Sequence, residues 1–202
     1  MPHPKHPSPD HPISELLTKR WSPYGYSDRP VSKDDLRALF EAARWAPSSY
    51  NEQPWSYVVA TKDDPENFKK VLSCLVEGNQ AWAIAAPVLA IGCTSLNFTR
   101  NGQSNAAAVH DLGIAAANLC VEATARGLQV HQMIGILPEK ARQVFHVPEG
   151  VRPLTGLAIG YAADPATLPE KIKERDQAPR TRKKLAEFVF GGDWGKSSSL
   201  VT

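Results

Sequence analysis

The chain has 202 residues, 42% apolar and 22% charged, proportions that suit one globular domain with a sizeable core. With 23 basic and 21 acidic residues the net charge is only +2, so neither nucleic acid nor an anionic membrane is expected as a main partner. No apolar run approaches membrane-spanning length. Cys74, Cys93 and Cys120 show no CxxC spacing and sit among apolar or small residues, which reads as buried thiols in a reducing, cytoplasmic compartment.

Residues 1–10 are Pro-rich and carry no apolar h-region, so a disordered leader is expected, followed by a single domain over 11–202. His3, His6 and His11 lie in or beside it, and the prolines between them argue against a compact metal site. Asp10 can N-cap a first helix with Pro12 in its opening turn and Ile13, Leu16 and Leu17 on one face, ending near Arg20. Ser32 can cap a second helix that places Leu36, Leu39, Phe40 and Ala43 for burial and runs to Trp45.

Between that helix and an alternating strand at Trp55–Ala60 lies Ala46-Pro47-Ser48-Ser49-Tyr50-Asn51-Glu52-Gln53-Pro54. Two prolines stiffen it, and its hydroxyls and amides offer donors and acceptors at set positions. Such a loop suits a flat, heteroatom-rich ligand. Pro, Ser and Asn also dominate ordinary connections, so the loop alone leaves both readings open.

Further along, Phe68–Val76 reads as a helix and Pro87–Cys93 as a strand buried on both faces. Asn105–Gly127 reads as a helix unusually rich in Ala and Gly, able to approach another backbone closely. A strand-like Val130–Ile134, a short helix at Pro138–Phe145 and a strand at Leu154–Tyr161 follow. Without regular βαβ alternation, a sheet with antiparallel pairs covered by helices is expected. Beyond Tyr161 runs a polar arm, basic at Arg180-Thr181-Arg182-Lys183-Lys184 and apolar at Leu185, Phe188, Val189 and Phe190. It needs a surface to dock on, in its own domain or in a second subunit.

No dinucleotide fingerprint, P-loop, HExxH or nucleophile elbow is present. His110 and Asp111 are adjacent on a helix and point about 100° apart, which favours a single polar contact over a catalytic dyad. His131 reads as structural. No protein group is assigned as catalytic, and no metal is expected, so a cofactor must carry any reaction.

Several blocks together resemble the FMN-dependent nitroreductase family. Arg20-Trp21-Ser22-Pro23-Tyr24 is similar to its N-terminal Arg-x-Ser flavin-phosphate motif, and 46–55 to its Ala-Pro-Ser-x-x-Asn-x-Gln-Pro-Trp loop. Ala116-Ala117-Asn118-Leu119 through Gly127-Leu128 resembles the central dimer helix, and Gly156–Tyr161 the last core strand. Arg180 and Arg182 match the C-terminal basic pair. The resemblance implies an α+β, three-layer α/β/α fold with a mainly antiparallel central sheet. It also implies an intertwined homodimer with two interfacial FMN sites, and a C-terminal arm (about 163–202) that embraces the partner subunit.

In that scheme Arg20, Arg180 and Arg182 hold the phosphate with Ser22, near Trp21 and Tyr24. Pro47, Ser48, Ser49 and Asn51 contact the flavin from the partner, supported by Gln53. The amides of Ile134 and Gly135 face N5 and O4, and Asn79 and Gln80 are weaker candidates. Trp21 and Tyr24 depart from the family's basic residues there. The implied activity is NAD(P)H-dependent, two-step hydride transfer to nitroaromatic, quinone or similar small acceptors. A reductase of an enone or aldehyde, or a flavin-binding sensor or carrier, is the alternative.

Overall fold

A computed structural model describes residues 4–5 and 8–201. Part of the 1–10 leader, including His3 and His6, therefore lies outside the described residues. Four strands, β1 (Trp55–Thr61), β2 (Val88–Ser95), β3 (Gln129–Met133) and β4 (Val151–Gly160), form an antiparallel sheet in the order β1-β2-β4-β3. The central pair explains the continuous apolar run read from the sequence. Leu89, Ile91 and Cys93 of β2 and Ala158 of β4 enter one apolar cluster, whereas Val88, Ala90, Leu157 and Ile159 enter another. Alternate side chains serve opposite faces, so both faces are buried.

Helices α1 (Glu15–Lys19) and α2 (Lys33–Arg44) precede the sheet, and α3 (Pro65–Ser73) and α4 (Glu77–Ala83) connect β1 to β2. The long α5 (Ala108–Ala125), α6 (Pro138–Phe145) and α7 (Glu170–Gln177) complete the set. Leu39 and Ala43 of α2 join Ala115, Leu119, Cys120 and Ala123 of α5 on one sheet face. Phe68 and Val71 of α3, Trp82 and Ala83 of α4, and Ala141 of α6 cover the other. These are the three expected layers, with the small residues of α5 letting it lie close to the sheet.

Local chemistry sets the helix ends. Ser32 caps α2 by accepting from the Asp35 amide at 3.0 Å. The expected first helix is shorter than the sequence suggests: Asp10 does not cap it, because residues 11–14 stay non-helical and α1 begins after an extended Ser14 (φ −54°, ψ 132°). It stops, as expected, at an extended Arg20 (φ −65°, ψ 125°). The single helix expected at 68–76 is instead α3, capped by Asp64 with Pro65 in its first turn, followed by a separate α4 behind an extended Val76. The helix expected from Asn105 starts at Ala108, because Asn105–Ala107 form the turn that leads into it. The arm contains α7, which its polar sequence concealed, since only Asp176 of that helix is buried. Cys74, Cys93 and Cys120 are free, buried thiols.

Candidate functional site

The chain pins Trp21 to the start of the edge strand β3. Its amide donates to Gln129 Oε1 at 3.0 Å, and its side chain is buried. This fixes Arg20 at the sheet's corner, where its guanidinium reaches Ser22 Oγ at 3.4 Å. From the far end of the chain, the Arg180 guanidinium donates to the Thr18 and Arg20 carbonyls. Burial first, then the Arg20 and Arg182 charges, hold the Arg180 guanidinium below its ordinary value.

None of these three arginines forms an ion pair with a carboxylate among the described residues. The neighbouring buried Asp176 is committed to the amides of Tyr24 and Gly25, both at 2.9 Å. Arg180 Nε is buried without a hydrogen-bond partner. This corner gathers cations with an unused donor, a set able to hold an anion. It opens on a groove of about 830 Å³ whose apolar wall includes Ile13, Leu17, Leu185 and Phe188.

Tyr24 and His131 serve packing. The Tyr24 ring stands edge-on to Trp82 (5.0 Å) and His131 (4.7 Å), with the Arg175 guanidinium 4.9 Å from its centroid. His131 Nδ1 lies 2.9 Å from the Pro23 carbonyl, and burial lowers the imidazole's proton affinity. A neutral ring donating from Nδ1 satisfies that geometry.

The 46–54 loop is held in an unusual shape. Tyr50, Asn51 and Gln53 have φ of 52°, 57° and 51°, a left-handed conformation that disfavours side chains. Ser48 Oγ accepts from the Gln53 amide at 2.9 Å, and Gln53 Nε2 donates to the Asn51 carbonyl at 3.2 Å. The buried Asp111 of α5 accepts from the Ser49 amide at 3.1 Å. Glu52 Oε1 accepts the Thr99 amide at 2.6 Å and its hydroxyl at 2.5 Å, bracing the loop against the 96–105 segment. Asp111 is thus the single polar contact expected of the His110-Asp111 pair. Its importance, and that of Glu52, escaped sequence reading because their partners lie 62 and 47 residues away.

After β3 the chain turns through Ile134 and Gly135. Two donors fix the Gly135 carbonyl, the Val76 amide at 3.0 Å and Asn79 Nδ2 at 2.9 Å. A Cβ on Gly135 would lie 2.5 Å from Asn79 Nδ2 and 2.9 Å from Val76 Cγ2, so glycine is required by close approach. Ile134 is left exposed. Asn79 and Gln80 spend their amide donors on the Gly135 and Leu75 carbonyls, as supports for the turn.

The structure brings Arg20, Ser22, Arg180 and Arg182 together and keeps them apart from the 46–54 loop. That loop feeds Trp55 at one end of edge strand β1, while Trp21 is pinned on Gln129 at the opposite end of the other edge strand, β3. Three strand spacings and most of a strand's length separate them, roughly 25 Å along the diagonal. Within one chain the candidate residues thus form two separate groups.

The Nitroreductase family model matches residues 17–161. An uncharacterized 15.4 kDa protein of Mycolicibacterium smegmatis is 39% identical over a stretch covering 64% of this chain and 86% of its own length. The FMN reductase (NAD(P)H) of Bacillus subtilis is 30% identical, over 75% of this chain and 66% of its own. A crystal structure of an oxidoreductase containing FMN superposes with a TM-score of 0.88 at 32% identity, covering 98% of this chain and 100% of that one.

Proposed function

The chain belongs to the Nitroreductase family and is an NAD(P)H-dependent FMN oxidoreductase; from that premise we propose that it reduces a nitroaromatic, quinone or similar small acceptor in a two-step, ping-pong sequence. The observation that carries the site assignment is the unpaired arginine cluster with its buried, unsatisfied Arg180 Nε. A phosphate monoester fits that donor set, since guanidinium forks match its oxygens.

Bound there, FMN would supply the two-electron redox chemistry that links NAD(P)H to the acceptor. Arg20, Arg180 and Arg182 hold its phosphate, with Ser22 adding a hydroxyl. Trp21 and Tyr24 act by holding the backbone and the aromatic packing behind that corner. The Ile134–Gly135 turn, locked by Val76 and Asn79, presents backbone amides whose dipoles favour negative charge on a reduced ring. Pro47, Ser48, Ser49 and Asn51, with Gln53 in support, complete the site from a second copy of the chain, because within one copy the half-sites lie diagonally apart. For the acceptor the balance is simple. Two electrons and two protons turn a nitro group into nitroso plus water, or a quinone into its quinol.

The purified protein should be yellow. Without air, NAD(P)H should bleach it, and a nitroaromatic or quinone should restore the colour, with parallel double-reciprocal plots at varied acceptor. Protein that binds FMN yet leaves NAD(P)H unconsumed would be a carrier, and the reading would be withdrawn.

A further inference from the structure

The 96–105 segment between β2 and α5 holds a cation that the flavin site does not use. The Asn97↔Ser104 bridge and Gly102 (φ 69°) fold this segment back on itself. Glu52 then clamps its Thr99 to the 46–54 loop. At the join, Tyr50 is 74% exposed and meets the Phe98 ring edge-on at 5.7 Å. The Arg100 guanidinium sits 4.1 Å from the Tyr50 centroid and 5.1 Å from that of Phe98. Arg100 makes no ion pair among the described residues, since the nearby Glu52 carboxylate is engaged by Thr99.

We propose that Arg100, seated on Tyr50 and Phe98, determines specificity for a planar acceptor that carries a carboxylate. The inference rests on the oxidoreductase reading, because Arg100 packs on the 46–54 loop, which in that reading contacts the flavin. Stacking occupies the face of the guanidinium and leaves its in-plane N–H groups free, and those groups match a carboxylate's two oxygens. The exposed Tyr50 ring offers a surface for the acceptor's own ring. Tyr50, Asn51 and Gln53 are held in left-handed conformations between two carboxylate anchors, Asp111 and Glu52, so the platform is set before any ligand arrives. A singly charged acceptor suits this corner better than the multiply charged NAD(P)H does. Arg100 is the one cation between residues 96 and 107, and Glu52 lies beside it.

The test uses FMN-loaded protein, saturating NAD(P)H, and two acceptors of one shape, 4-nitrobenzoate and 4-nitrobenzamide. The wild-type chain should favour the acid in kcat/KM. Arg100→Gln should lower that acid-to-amide ratio by roughly tenfold or more, mostly through KM, as expected when one charged hydrogen-bonding pair is lost. Arg100→Lys, which keeps the charge without the planar fork, should recover only part of the ratio. Equal use of the two acceptors by the wild type, or a ratio untouched by Arg100→Gln, would overturn the proposal alone. So would a loss confined to the KM of NAD(P)H. A wild-type protein that reduces neither acceptor, nor any quinone, would remove the oxidoreductase reading and the proposal with it.

Discussion

Arg182 tests the anion site more cleanly than Arg180. Arg180 also ties the Thr18 and Arg20 carbonyls, so its loss would loosen the backbone, whereas among the described residues the Arg182 side chain donates to the adjacent Thr181 carbonyl alone. Arg182→Ala should weaken FMN binding by about 1.5–3 kcal/mol, the worth of one hydrogen bond to a charged group. Riboflavin, which lacks the phosphate, should bind almost as before. Equal losses for both ligands, read by fluorescence titration, would make the residue structural. His131 gives a second test at this scale. Its proton affinity is lowered in the folded protein, chiefly by burial, so the unfolded chain takes up the proton first as pH falls below about 6.5. The stability it contributes is present above that pH and is lost on descent toward the lower folded value. The slope should not exceed about 1.4 kcal/mol per pH unit. His131→Phe should flatten the profile between pH 7 and 5.5 in denaturant titrations. The Glu41 carboxylate does not obscure this window, since hydrogen bonds from Arg44 and Trp45 hold it at about 2. An unchanged slope in the variant would show that His131 is not the group responsible.

At the scale of elements, what the sequence revealed depended on whether the cause was local. Ser32 declares the start of α2 because cap and helix are neighbours, and β2 declares itself because burial on both faces leaves a continuous apolar run. Pro138 opens α6 at the expected residue for the same local reason. Asp10 misled because residues 11–14 stay non-helical and α1 begins only at Glu15, after an extended Ser14. Helix α7 was hidden because its one buried side chain, Asp176, has its partners about 150 residues away at Tyr24 and Gly25. In the candidate site, the 20–24 and 46–55 blocks were legible as motifs. The anchors Asp111 and Glu52 were not, since nothing in their own neighbourhoods names Ser49 or Thr99. The turn after β3 offers the sharpest element-level prediction. Gly135→Ala forces a contact with the Asn79 and Val76 side chains, displacing the Asn79 amide that holds the Gly135 carbonyl, at a cost of about 1–3 kcal/mol. Thermal unfolding and flavin content should both fall. Unchanged values would mean that the turn is looser than its contacts indicate.

At the scale of the whole molecule, two observations support the proposed second copy. The two groups of candidate residues sit at opposite corners of one sheet, and apolar side chains line the groove beside the arginines without being covered. Ile13, Leu17 and Phe188 are 52%, 50% and 55% exposed and line that one groove together rather than being scattered over the surface. The end of the arm is itself ordered, since the Phe190↔Ser197 bridge folds it back and Trp194 packs edge-on against Phe190 at 5.2 Å. An ordered arm with an uncovered apolar side is built to lie on something. Removing residues from Leu185 onward should therefore weaken the dimer and lower FMN retention together, although Arg180 and Arg182 remain and no deleted residue is assigned to the cofactor. Sedimentation velocity, followed at the flavin band and at 280 nm, measures both quantities in one run. A truncated monomer that keeps its full complement of FMN would mean that one chain builds a complete site. The diagonal separation would then have to be closed by movement within the chain, and the shared-site arrangement would be abandoned.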